Sequence, residues 1–222
     1  MDKPNGEVFF FYFALAAFFV VVFSFGLHAI IRADHLPPVT APLVIHAVFM
    51  FGWNGLFAAQ AGLVRSDNVS LHMRLGRISI LLASGVFVSG LLVMASNYER
   101  KAEPLVAMSN VMAMVSFAGL YLTALANRKR PDSHKRLIVF ASILMFAPAF
   151  TRFVRAFDLG EGIILPLWVL TAASVIVYDL KRLRKVHAAT IAGCVTFVLA
   201  VVVMITVGTS AAWKAFLDSV LR

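Results

Sequence analysis

Six histidines fall into two groups along this 222-residue chain. His72, His134 and His187 each stand at the start of an apolar run, just after a basic loop, whereas His28, His35 and His46 lie toward the opposite ends of runs. Two of the first group repeat a local pattern. Gly55-Leu56-Phe57 leads through a basic loop to His72-Met73-Arg74-Leu75, and Gly119-Leu120-Tyr121 leads through another to His134-Lys135-Arg136-Leu137. Neutral imidazole nitrogen is a good iron ligand, and two imidazoles on neighbouring helices at one depth can hold a haem iron from both axial sides. His72 and His134 meet the depth condition, and Arg74 and Arg136 are expected to pair with haem propionates as guanidinium–carboxylate forks. Adding His187 makes three imidazoles, the donor set of a zinc or copper site with an open position. All three histidines equally suit a plain interfacial role, their rings facing headgroups beside the arginines.

A second constellation lies toward the other side. His46 stands 19 residues before Arg65 and Arg152 stands 18 residues after His134, spans of about 27–29 Å at 1.5 Å per residue. His46 and Arg152 therefore share a depth, with Asp34, His35, Asp158 and Glu161 in the adjoining loops. A polar pocket there suits a small anion, a quinone headgroup or a haem propionate; ordinary ion pairing at the interface is the other reading. The uncharged polar residues Asn54, Gln60, Ser109, Asn110 and Ser116 read as hydrogen-bonding glue between helices. The aromatic crowd near the N-terminus, from Phe9 to Phe13 with Phe18 and Phe19, reads as lipid-facing. No Gly-rich phosphate loop, His-Glu-x-x-His or Gly-x-Ser-x-Gly occurs, so nothing specifies a hydrolase.

The elements that must position these residues follow from composition. Hydrophobic residues make up 61% of the chain, charged residues 14%, and the mean hydropathy is +0.88; soluble domains average about 45–50% and roughly 25%. A membrane-crossing helix needs about 20 apolar residues, and seven runs approach that length: Val8–Ile31, Pro42–Val64, Leu75–Ser96, Leu105–Ala126, Leu137–Thr151, Gly162–Tyr178 and Ala188–Ala212. Pro37-Pro38, Pro104 and Pro131 punctuate them. The predicted architecture is all-α, a single polytopic bundle of seven transmembrane helices over residues 1–222, with the fifth helix extended through Arg152 and Arg155. The first run exceeds the 7–15-residue core of a cleavable signal peptide and is expected to be a retained helix. Lys3 and the second, fourth and sixth loops hold thirteen Lys and Arg, against seven on the other side. The N-terminus is therefore expected inside a cell inner membrane and the C-terminus outside. The net charge of +9 resides in these loops, with no basic stripe interleaved with aromatics, which argues against nucleic acid. Cys194, the single cysteine, excludes an intramolecular disulfide.

Residues 46–158 resemble a family of bacterial multi-pass membrane proteins of no settled activity. The carrying segments are His46-Ala47 with Gln60, then Leu71-His72-Met73-Arg74-Leu75-Gly76-Arg77, then His134-Lys135-Arg136-Leu137 and the helix to Arg152. This resemblance implies fold and topology rather than activity. More loosely, His46-x-x-x-Met50-x-Gly52-Trp53, Gln60-Ala61-x-Leu63-Val64 and Leu71-His72 are similar to the first hairpin of the ascorbate-linked transmembrane cytochromes b. That likeness implies a four-helix core over residues 42–157, haem b between His72 and His134, and electron transfer within the membrane with a quinone or metal as partner. Where it would place the outer partner of His46, the chain has Met108, Ser109, Asn110 and Met112. The alternative is a haem-free membrane protein: a small-molecule transporter, a lipid-linked enzyme or an accessory subunit.

Overall fold

A computed structural model describes residues 6–36, 38–99 and 103–221. Lys3, Pro37, Arg100, Lys101 and Arg222, on which part of the sequence reading rests, lie outside the described residues, as does the His35 side chain. Nine α-helices follow one another among the described residues: α1 Gly6–Ile31, α2 Ala41–Arg65, α3 Val69–Glu99, α4 Pro104–Ala126, α5 Pro131–Leu144, α6 Ala147–Ala156, α7 Ile164–Leu183, α8 Ala188–Gly208 and α9 Ala211–Leu221. Proline sits in the first two positions of α2, α4, α5 and α6, where its missing N–H costs no helical bond. Asn68 opens α3 by accepting from the Leu71 amide at 3.2 Å. Asp67 and Arg184 take left-handed backbone conformations that turn the chain out of α2 and α7.

Helices α1, α2, α3, α4, α7 and α8 are each long and apolar enough to cross a bilayer, and α5 with α6 supplies a seventh crossing as one span bent by 46°. The fifth apolar run, expected as one helix, is thus broken. Pro148 can give no N–H to the Leu144 carbonyl, and its ring crowds that carbonyl, so the chain kinks at Met145–Phe146 and restarts. The last run also ends early, at Gly208. Ser210 then starts a separate α9, anchored where Trp213 Nε1 donates to the Pro104 carbonyl at 2.9 Å.

The packing is polar inside and apolar outside. Leu81, Leu170 and Leu199 are more than half exposed, while Asp179, Thr190 and Ser142 are buried. A continuous apolar exterior of this kind requires lipid as its solvent, and the protein is an integral, multi-pass membrane protein. Helix α4 lies centrally, against α3, α5 and α8, and α1 packs on α2 and α6. Close approach of α8 to α5 depends on Gly193, where a methyl group would overlap the Phe140 ring. Between α2 and α4, the Trp53 ring meets Phe117 and Tyr121 edge-on at 4.8 and 5.4 Å.

Candidate functional site

Helix α4 packs against both α3 and α5, but α3 and α5 barely touch. The space between them, lined also by α2, is a half-open cavity of ≈ 670 Å³. It opens at the end of the bundle that carries the basic α2–α3 and α4–α5 loops. His72 and His134 both line it. Each is the fourth residue of its helix, so the repeat seen in the sequence places two rings at one level on facing walls.

The hydrogen bonds around these rings decide which nitrogens remain for a ligand. His134 Nδ1 lies 2.8 Å from the Ala124 carbonyl. A carbonyl can only accept, so Nδ1 carries a proton, and in the neutral ring the lone pair is on Nε2. Metal-binding histidines are commonly oriented by such a bond from the other ring nitrogen. His72 Nδ1 is buried without a hydrogen bond of ordinary geometry among the described residues, and the Gln60 backbone lies close enough to act on the ring. The His72 carbonyl accepts from Gln60 Nε2 at 3.1 Å, while Gln60 Oε1 is likewise buried and unpartnered. Deeper in, Ser79 donates to the Gly76 carbonyl at 2.6 Å and so accepts from the Tyr121 hydroxyl at 2.7 Å. The cavity therefore joins an aromatic wall of Trp53, Phe57 and Tyr121 to an under-satisfied polar mouth.

The cations at that mouth are Arg77, Arg128 and Lys129, residues the sequence reading passed over. Arg74 is exposed and is not among the lining residues. Arg136 points the other way: it is 1% exposed, and its Nε and Nη2 donate to Asp179 Oδ1 at 2.9 and 2.5 Å. The signal was in the spacing. Two residues along a helix is a rotation of about 200°, so an arginine in His-x-Arg cannot share the histidine's face. Ile138, four residues after His134, can and does; Arg77 lies about 140° round the helix from His72, so its place at the mouth does not follow from helical phase.

His187 belongs to the Arg136 cluster rather than to the cavity. Its amide donates to Asp179 Oδ2 at 3.0 Å, and its Nδ1 caps α8 by accepting from the Ala189 amide at 3.1 Å. Burial, and then the nearby Arg136 cation, hold its imidazole below the usual histidine range. No group of three or more His, Cys, Asp or Glu able to hold a metal ion occurs among the described residues, so the structure does not assemble a three-histidine centre.

At the opposite end, His46 Nδ1 lies 3.0 Å from Ser89 Oγ. Arg152 reaches the Pro148 carbonyl at 3.0 Å and the face of Phe25 at 4.2 Å.

No protein-family model matches the chain, and no curated protein or solved structure is significantly similar to it. The fold and the two polar sites therefore stand on their own geometry.

Proposed function

We propose that this membrane protein is a b-type haem protein of a cell inner membrane, passing electrons within the bilayer to or from a quinone or a metal. The observation that carries the reading is the shared cavity of His72 and His134, with His134 Nε2 left free by the Ala124 carbonyl. The residues fit the group in three respects. Two imidazoles face one space, the walls are flat and aromatic, and the mouth holds cations for two carboxylates. When bound, haem b supplies a one-electron iron couple whose potential follows from axial ligation and burial. The chain's own residues do the rest. His72 and His134 would hold the iron, and Trp53, Phe57 and Tyr121 would exclude water from the ring. Arg77, Arg128 and Lys129 hold the propionates at the mouth. The likeness to ascorbate-linked transmembrane cytochromes b supports the same assignment. The excess of Lys and Arg in the loops at this end supports a cytoplasmic mouth.

A reduced-minus-oxidised absorption spectrum of the purified chain tests it. The expected result is a b-type α-band, lost when both His72 and His134 are replaced by alanine. A colourless preparation that takes up no added haem contradicts the reading and leaves the haem-free alternative.

A further inference from the structure

At the end of the bundle opposite the cavity mouth, α2 and α4 both close on Gly90 of α3. A methyl group placed on Gly90 would stand 2.6 Å from Met114 Sδ and 3.5 Å from His46 Cε1. An imidazole edge from α2 and a thioether from α4 therefore share one neighbour, and they reach it because Gly90 has no side chain. Met114 is buried, and His46, the sixth residue of α2, is half-buried.

Hydrogen bonds fix the ring. Ser89 gives its own hydrogen to the Gly85 carbonyl at 2.5 Å, so its oxygen accepts from His46 Nδ1 at 3.0 Å. In the neutral ring the lone pair is then on Nε2. Nε2 adjoins Cε1, the ring atom nearest Gly90, and no hydrogen bond among the described residues uses it. A second thioether stands at the same level. Trp53 on α2 meets Phe117 on α4 edge-on at 4.8 Å, and the two helices cross in the same direction. Met50 and Met114 each stand three residues before one of those rings. Helical side chains lean toward the N-terminus of their helix, so both thioethers lean toward the end that holds His46. Met50 follows His46 by four residues, which places it on the same face of α2.

We propose that His46, Met50 and Met114 form a binding site for copper(I), held by His46 Nε2 and the two sulfurs. All three donors are uncharged. Soft thioethers select Cu(I) among the biological metals. Zinc takes thiolate, imidazole and carboxylate, and only one such group is present here. A single positive charge is also easier to hold than two within an apolar bundle. The site takes nothing from the haem reading, whose histidines stand at the other end of the bundle.

The experiment is an anaerobic titration of the full chain in detergent against the coloured Cu(I) complex of bicinchoninate. Wild type withdraws one equivalent of Cu(I); silver(I) displaces it and zinc does not. Met114→Leu, His46→Phe and Met50→Leu each weaken binding by about tenfold or more, at least the effect of losing an outer-shell partner. Gly90→Ala keeps all three donors but crowds the Met114 sulfur, and it too weakens binding. Cys194→Ser leaves the affinity unchanged, as does Met94→Leu, since Met94 packs against Ala107 and Leu217 instead. Should the donor variants fail to fold, X-ray absorption at the copper edge of loaded wild type shows one nitrogen and two sulfur neighbours. Any of four results overturns the proposal: no withdrawal of Cu(I), unchanged affinity in a folded donor variant, displacement by zinc, or a first shell without sulfur. Haem-free protein serves for the titration, so failure of the haem assignment and failure of this one are separately visible.

Discussion

Arg136 and Arg152 lie 16 residues apart on the two halves of one bent span, and their surroundings are opposites. Each nitrogen of the Arg136 guanidinium has a partner: Asp179 Oδ1 for Nε and Nη2, and the Asp132 carbonyl for Nη1 at 2.8 Å. The second carboxylate oxygen of Asp179 is equally occupied, by Thr190 Oγ1 at 2.5 Å and the His187 amide at 3.0 Å. This closed cluster ties α5, α7 and the start of α8 together. Arg152 has a backbone carbonyl and an aromatic face and no carboxylate among the described residues. A charge in a membrane is costly wherever it stands; Arg136 is balanced by a buried carboxylate, and Arg152 is not balanced by one among the described residues.

The largest effect expected is at the closed cluster. Arg136→Leu strands the Asp179 carboxylate and should cost about 3–5 kcal/mol in unfolding measured at fixed detergent concentration. Combining it with Asp179→Leu should recover most of that loss, because no lone charge is left behind. A double variant as unstable as the two singles summed would break the idea of a mutually satisfied pair. Thr190→Val removes one charge-assisted donor and should cost about 1.5–3 kcal/mol in the same assay. Arg152→Leu, by contrast, should stay within about 1 kcal/mol of wild type, since the lost bond to the Pro148 carbonyl and the lost Phe25 contact are offset by removing a charge that no carboxylate balances. A loss as large as that of Arg136→Leu would mean that Arg152 also belongs to the architecture.

The smallest effect is one of pH. The folded chain holds His187 below its ordinary value of 6.5, by burial and by Arg136, with Asp179, Asp132 and Lys135 also acting on it. The unfolded chain therefore binds the proton more readily, and stability falls as pH drops below 6.5. Protonation also removes the Nδ1 acceptor that caps α8. The share due to His187 should be a drop of about 1–2 °C in Tm between pH 7 and pH 5.5. It should vanish in His187→Asn, which keeps a capping oxygen but does not titrate.

Much of the fold was legible because the bilayer imposes a length and an apolar composition on every crossing, and those are properties of contiguous sequence. The starts of α2, α4 and α5 were marked by proline. The break in the fifth span was visible only as a short run followed by Pro148; whether proline kinks a span or ends it depends on what packs around the freed Leu144 carbonyl. The pairing of His72 with His134 across one cavity was legible through the repeat, since equal offsets from a helix start give equal depth. Asp179 was not. It sits 43 residues from Arg136, among the basic residues ending α7, and only the packing of α5 against α7 brings the two together. The proposed propionate partners shifted from Arg74 and Arg136 to Arg77, Arg128 and Lys129 because Arg136 turns to Asp179 and Arg74 to the exterior, while Arg128 and Lys129 sit in the α4–α5 turn at the mouth.

The central claim is that His72 and His134 grip one haem from opposite walls of the cavity. Electron paramagnetic resonance of the oxidised protein tests it directly, because spin state reports how many strong axial ligands the iron has. Wild type should give a low-spin signal from six-coordinate iron. His72→Ala and His134→Ala, each alone, should convert it to high spin or lose it, while Arg74→Ala leaves it unchanged. A low-spin signal that survives in both histidine variants, or an iron-free protein, would contradict the account.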